Sequence, residues 1–324
     1  MVTCDVRTID YHTGGEPFRV VVDGVPEIPG RTVLDRRTAA AAPEFDAVRR
    51  LLCHEPRGHA DMYGCFLVPP DDAGAHLGVL FWHKDGYSTA CGHGTMALGV
   101  HAVEQRLVQA DPDGETDVVI DVPSGRVTAR VRCAAGRPES VVFRNVPSYV
   151  IERGVPLPGQ GVKADLAYGG AVYASLPAAA LGLSVTPAHL PELIARGRAV
   201  KAALAGHPAT RHPGDDRLSG VYGVVLHEDL GPGRQRNVTV FADGEVDRSP
   251  CGSGTAARLA LLHEEGFTGT LTHESIVGSV FTGRVAEVLP EGVIPEIEGT
   301  AYRTGEHRFT LDPRDPLGTG FTLR

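Results

Sequence analysis

The sequence predicts an α+β fold of two pseudo-symmetric lobes, each a β-rich shell around one buried central helix. Three observations predict it. Short Val-rich segments bounded by Gly, Pro or Asp recur along the chain and read as strands. Two stretches, 92–108 and 252–265, read as the central helices: the first has apolar residues at helical spacing, and the second is apolar nearly all round, the mark of a buried helix. Both open with the same words, C-G-x-G-T, about half the chain apart, so the halves read as an internal duplication.

Taken in order, strands are expected at 18–22, 65–68, 118–122, 127–131, 140–143, 220–226 and 237–241. Asp111-Pro112-Asp113-Gly114 and Pro123-Ser124-Gly125 are turn signals. A helix over 45–52 places Phe45, Val48, Leu51 and Leu52 on one face. Another over 187–199 follows Thr186 as N-cap and Pro187 at the first position, with Pro191 delaying its start by a turn. In the first central helix Met96, Val100, Val103 and Leu107 recur at helical spacing; in the second, Gly266 follows as the C′ residue. Gly14-Gly15 near the start is echoed by Gly169-Gly170 near the midpoint. The Pro/Gly-rich stretch 147–161 reads as the link. The first lobe is then 1–148, rejoined by 308–324, and the second is 149–307, with an active site expected in the cleft between them.

Composition narrows the function. The 324 residues carry 31 Lys+Arg against 40 Asp+Glu, a formal charge of −9, which disfavours nucleic acid and anionic membrane as partners. Apolar stretches such as 171–183 are too short to span a bilayer. Only Lys84, Lys163 and Lys201 are available for Schiff-base chemistry, and none lies in a recognisable motif. The opening MVTCDVRTIDYH has no apolar signal region, so the six cysteines are expected as reduced thiols in a cytoplasm. With no C-x-x-C pair, and no familiar ligand spacing for two cysteines plus His93, no metal is expected. Cys4, Cys53, Cys65 and Cys133 stand in apolar contexts and read as core.

Cys91 and Cys251 differ from those four. Each stands at a helix start and is followed by glycines that let a ligand approach the backbone. Unpaired N–H groups and the helix dipole there suit a carboxylate, and the same field lowers a thiol's pKa from about 8.5 toward neutrality. Two such motifs facing one small carboxylate would place a sulfur on each face of its α-carbon, the arrangement for a two-base 1,1-proton transfer. The stretches Cys91-Gly92-His93-Gly94 and Asp247-Arg248-Ser249-Pro250-Cys251-Gly252-Ser253-Gly254-Thr255 carry a resemblance. So do Thr13-Gly14-Gly15-Glu16-Pro17 and the run from Glu55-Pro56-Arg57-Gly58-His59 to Gly64. On these residues the sequence resembles the proline racemase family, which includes hydroxyproline 2-epimerases and trans-3-hydroxyproline dehydratases.

The resemblance implies a two-lobed fold like that of diaminopimelate epimerase, working without pyridoxal phosphate or metal, so no cofactor is expected. It implies Cys91 and Cys251 as the acid/base pair and the amides of Gly92, His93, Gly252 and Ser253 as the carboxylate site. It also implies that His93 and Asp247 face the ring nitrogen of the substrate. The dehydratases usually carry Thr where this chain has Cys251, which favours a racemase or epimerase of proline or 4-hydroxyproline. Ser253 and the segment 55–64 lean toward the dehydratase branch, which stays as the alternative; a non-catalytic small-carboxylate binding protein is the second alternative. The expected partner is a small-molecule substrate, with a homodimer allowed. His12, Glu16, His59 and Asp61 are read as bracing loops, Trp82 and Tyr87 as walls of the pocket, and 211–217 as a solvated loop.

Overall fold

The computed structural model describes residues 5–323. They form a sheet-rich mixed α+β structure that divides into two compact units. Unit 1 is Met1–Thr89, Gly94–Val141 and Thr300–Arg324; unit 2 is Ala90–His93 and Val142–Gly299. The short piece Ala90–His93, the opening of the first C-G-x-G-T motif, counts with unit 2 although its flanks count with unit 1. Cys4 lies outside the described residues.

Unit 1 begins with β1 (Asp5–Thr13) and β2 (Glu16–Asp23), an antiparallel hairpin whose turn is Gly14-Gly15 at φ 59° and 94°. Glycine is required there because a side chain at positive φ is crowded by its own backbone. Helices α1 (Val33–Ala40) and α2 (Pro43–Cys53) follow. The first is set by a capping box between Thr32 and Asp35; the second has Pro43 in its first turn. α2 turns Phe45, Val48, Leu51 and Leu52 into a core shared with Phe66, Leu80, Trp82 and Tyr87. Strand β3 (Gly64–Val68) returns parallel to β2, and β4 (Leu77–His83) and β5 (Gly86–Tyr87) add antiparallel to it in turn. After α3 (Gly92–Glu104), β6 (Glu115–Val122) lies parallel to β4 and β7 (Gly125–Ala134) antiparallel to β6. The chain passes into unit 2 within β8 (Arg137–Arg144).

Unit 2 repeats this order. After β9 (Tyr149–Pro156), β10 (Lys163–Tyr168) and β11 (Val172–Pro177) form the hairpin, turning at Gly169-Gly170. Helix α4 (Leu190–Ala203) leads to β12 (Val221–Gly231), parallel to β11, and then to antiparallel β13 (Arg234–Phe241) and β14 (Glu245–Asp247). After α5 (Gly252–Glu264), β15 (Leu271–Ser275) lies parallel to β13, followed by antiparallel β16 (Val280–Leu289) and β17 (Gly292–Gly299). The final strand β18 (Ala301–Thr310) pairs with β1 in unit 1, as β9 pairs with β10 in unit 2.

Three expectations are corrected. The stretch 147–161 is no simple link, because β9 occupies most of it and hydrogen-bonds to β10. The first central helix stops at Glu104, where Arg106 turns to φ 57° and the Leu107 N–H bonds back to Ala102 O. That closing turn normally takes glycine, so an arginine gave no stop signal. Trp82 and Tyr87, expected as walls of a pocket, belong to the apolar core under α2. No helix among the described residues is long and apolar enough to cross a membrane.

Within unit 1 one buried ion pair ties strand to loop. Arg19 donates to both oxygens of Asp10, and its Nη1 donates to the carbonyls of Leu52 (2.7 Å) and Arg57 (3.0 Å). Both side chains are at most 10% exposed. Arg19→Met is expected to cost about 3 kcal/mol of stability by leaving Asp10 and two carbonyls under-satisfied. Urea unfolding followed by fluorescence measures it, and an unchanged midpoint would remove this pair from the account of unit 1.

Candidate active site

Cys251 is the N-cap of α5 and sits at φ 62°, ψ 101°, a conformation that non-glycine residues rarely adopt. Holding it costs roughly 1–3 kcal/mol, so the surroundings must over-determine it. They do. The Cys251 N–H donates to Ser249 Oγ at 3.1 Å, the Ser249 N–H donates to Asp247 Oδ1 at 2.8 Å, and Cys251 O accepts the first helical bond from the Thr255 N–H at 2.7 Å. The proline of Ser-Pro-Cys lacks an N–H that would compete for these acceptors.

The start of α3 lies against the start of α5. A methyl group placed on Gly92 would stand 2.6 Å from the Gly252 Cα, and one placed on Gly252 would stand 2.7 Å from the Gly92 Cα. Neither contact can be relieved by moving a side chain, because both partners are backbone. Of the first-turn amides of α5, Gly254 N–H is turned toward the Cys251 sulfur and Thr255 N–H closes the first helical turn. Those of Gly252 and Ser253 stand outside the helical ladder. Gly169, in the β10–β11 turn, packs as closely behind them: a methyl there would meet Ser253 O at 2.4 Å.

The structure brings all seven expected site residues together: Cys91, Gly92, His93, Asp247, Cys251, Gly252 and Ser253 are buried and belong to unit 2. Cys91 Sγ lies 3.4 Å from His93 Nδ1, and His93 Nδ1 lies 4.0 Å from Asp247 Oδ2. With Asp247, Ser249 and Cys251 already joined, one run of polar groups links the two cysteines. Two residues of the site gave no signal in the sequence. Tyr173 on β11 places its hydroxyl 2.7 Å from Ser253 Oγ and 3.9 Å from the Cys251 sulfur, and Thr239 on β13 also bonds that sulfur. Ser249 was legible only as part of a motif. Cys53, Cys65 and Cys133 are buried free thiols, in keeping with their reading as core.

Electrostatics correct one expectation. Burial, reinforced by the Asp247 carboxylate, pushes the Cys251 thiol up; the Gly254 N–H and the Thr239 and Tyr173 hydroxyls offset only part of this. The lowering expected from a helix terminus is thus reversed at Cys251, because desolvation and a neighbouring negative charge outweigh it. Burial also raises Asp247 to about 6, against the lowering effect of its bonds from Ser249. Asp247→Asn removes the negative charge while keeping an acceptor for the Ser249 N–H. It is expected to lower the Cys251 pKa and speed its alkylation by iodoacetamide at about pH 8, read by peptide mass spectrometry. An unchanged rate would show that Asp247 does not govern this thiol.

Comparison with known proteins gives this geometry a family. The chain matches the family described as proline racemase over residues 8–322. It is 44% identical over 335 residues to a trans-3-hydroxy-L-proline dehydratase of Azospirillum brasilense, covering 100% of this chain and 99% of that relative. A 3-hydroxyproline 2-epimerase of Burkholderia multivorans is 43% identical with the same coverage. Among solved structures, a hydroxyproline epimerase from Agrobacterium vitis with trans-4-hydroxy-L-proline bound superposes with a TM-score of 0.93 at 32% identity, over 99% of this chain and 95% of that one. With that coverage and this pair of cysteine motifs, the chain belongs to the proline racemase family.

Proposed function

We propose that the protein is a cofactor-independent racemase or epimerase that inverts the α-carbon of proline or a hydroxyproline by proton transfer between Cys91 and Cys251. The observation that carries this reading is the abutting pair Gly92 and Gly252, each preceded by a buried cysteine and each opening a helix. In this mechanism the substrate carboxylate takes the amides of Gly92, His93, Gly252 and Ser253. The secondary ammonium pairs with Asp247, on the side where His93 also approaches. One sulfur, as thiolate, removes the α-proton; the electron pair left on carbon delocalises into the carboxylate, where the N–H groups stabilise it. The opposite thiol gives its proton to the other face, and the two sulfurs exchange protonation states.

The ammonium has a second effect. Asp247 raises the Cys251 pKa, so pairing that carboxylate with a cation withdraws the opposition to a thiolate at Cys251. Substrate binding and base activation are then one event.

The names of two relatives support a second reading. Removal of the α-proton is common to epimerisation and dehydration; the outcome depends on what the α-carbanion does next. Protonation from the opposite thiol inverts the centre. With a hydroxyl at C3, the electron pair can instead form a C2–C3 double bond as hydroxide leaves and is protonated to water. The resulting enamine tautomerises to a cyclic imine. The relative from Azospirillum brasilense is named for the second outcome and that from Burkholderia multivorans for the first.

Incubation in D2O with both enantiomers of proline and the 3- and 4-hydroxyproline isomers, followed by mass spectrometry and chiral chromatography, tests the proposal. Deuterium at C2 of the inverted isomer is expected; a cyclic imine from trans-3-hydroxy-L-proline alone would establish the dehydratase instead. Cys251→Thr is expected to abolish epimerisation, and full activity in that variant would refute the two-base assignment. The pH profile tests Asp247. Its raised pKa leaves it protonated below about 6, so kcat/KM is expected to rise with pH through about 6. Asp247→Asn should lose that limb of the profile along with most of the affinity for substrate.

A further inference from the structure

The carbonyl of Pro250 is held from two sides. Asn237 Nδ2 donates to it at 3.0 Å, and Thr255 Oγ1 donates to it at 3.1 Å. Behind both stands His273 of β15, fully buried, with Nε2 2.9 Å from Asn237 Nδ2 and Nδ1 2.7 Å from Thr255 Oγ1. The donor inventory fixes every role in this ring. A carbonyl only accepts, so the Asn237 atom facing Pro250 is the amide nitrogen, and its second hydrogen goes to His273 Nε2. His273 Nε2 is therefore the acceptor and Nδ1 carries the proton. That proton is donated to Thr255 Oγ1, whose own hydrogen goes to Pro250 O. Burial, with Arg258 and His227 adding to it, pushes His273 down to about 3, so the imidazole stays neutral and the ring stays closed.

Thr255 has a second grip, its N–H on Cys251 O at 2.7 Å. One residue thus holds the carbonyl before Cys251 and the carbonyl after it. Peptide units are planar, so fixing the plane on each side of a residue fixes its φ and ψ. The pair of angles so fixed is the unusual one at Cys251.

We propose that His273 and Thr255 are positioning residues that, with Asn237, lock the backbone of Cys251 in its left-handed conformation and so aim its sulfur at the α-carbon. This rests on the reading of Cys251 as an acid–base residue. None of the three needs to touch the reacting atoms. His273 acts through Thr255 and Asn237, donating to the Thr255 hydroxyl and accepting from the Asn237 amide, which also reaches Glu274 O at 3.5 Å, and so holds both toward the Pro250 carbonyl. The ring accounts for a fully buried histidine, and it assigns a use to the final threonine of C-G-x-G-T.

Thr255→Val removes the hydroxyl and keeps the shape, while Thr255→Ser keeps the hydroxyl. In Thr255→Val, kcat for α-proton exchange is expected to fall about 10–100-fold with KM nearly unchanged, and Thr255→Ser is expected to restore it. His273→Asn, which keeps a donor toward Thr255 but loses the acceptor for Asn237, carries the same test should Thr255→Val not fold. Alkylation of Cys251 by iodoacetamide gives a readout independent of turnover: its rate should change at least about fivefold in Thr255→Val and return in Thr255→Ser. Folded Thr255→Val and His273→Asn variants with wild-type kcat and wild-type alkylation would overturn the proposal. Absence of α-proton exchange in the wild-type protein with every proline isomer would instead sink the functional reading, and the alkylation comparison would still decide the ring.

Discussion

The close approach of Gly92 to Gly252 is the constraint on which the rest of the site depends. Two backbone segments come within a methyl group's reach of each other, and only glycine on both sides allows it. That approach sets two helix N-termini against one another with their first amides outside any helical ladder. Two like ends of two dipoles are unfavourable neighbours unless something negative lies with them. An anionic group is therefore what this arrangement favours, and the cysteine preceding each glycine is carried to the same place by its covalent bond.

Charge inside the site is balanced in the same way. Asp247 is a buried carboxylate whose own ionisation is resisted by desolvation, and it raises the thiol beside it. On the proposed function, an amino acid would bring a cation for Asp247 and an anion for the amides, and a zwitterion would satisfy at once both features that are unfavourable alone. A simple carboxylate would satisfy only the second. On the proposed function, these electrostatics favour an α-amino acid over a simple carboxylate.

Much of this was legible in the sequence because duplication and local chemistry agree. The two C-G-x-G-T words, the Gly-Gly hairpins at 14–15 and 169–170, and the apolar run of α5 each follow from local rules, and the observed elements carry them at those positions. What was not legible depends on strands distant in sequence. Tyr173 and Thr239 reach the Cys251 sulfur only because β11, β12 and β13 are neighbours in the sheet. Trp82 was expected at a pocket wall and packs in the core under α2, since nearness in sequence to Cys91 says nothing about which face of β4 it occupies. The raised thiol at Cys251 was missed for a related reason: helix position can be read from a motif, whereas burial and the approach of Asp247 cannot.

The repeat is also imperfect in a way that matters. Cys251 is the N-cap of α5 and is held at positive φ. The variable position of the motif differs as well, since His93 contacts the Cys91 sulfur whereas Ser253 contacts the Tyr173 hydroxyl. The Cys91 sulfur meets an imidazole, and the Cys251 sulfur meets the Tyr173 and Thr239 hydroxyls with the Asp247 carboxylate nearby. Duplication accounts for a cysteine and a glycine at the start of each central helix, while the surroundings of the two motifs have diverged. The divergence falls at position x of each motif, whereas Gly92 and Gly252, whose close approach leaves no room for a side chain, are the same in both copies.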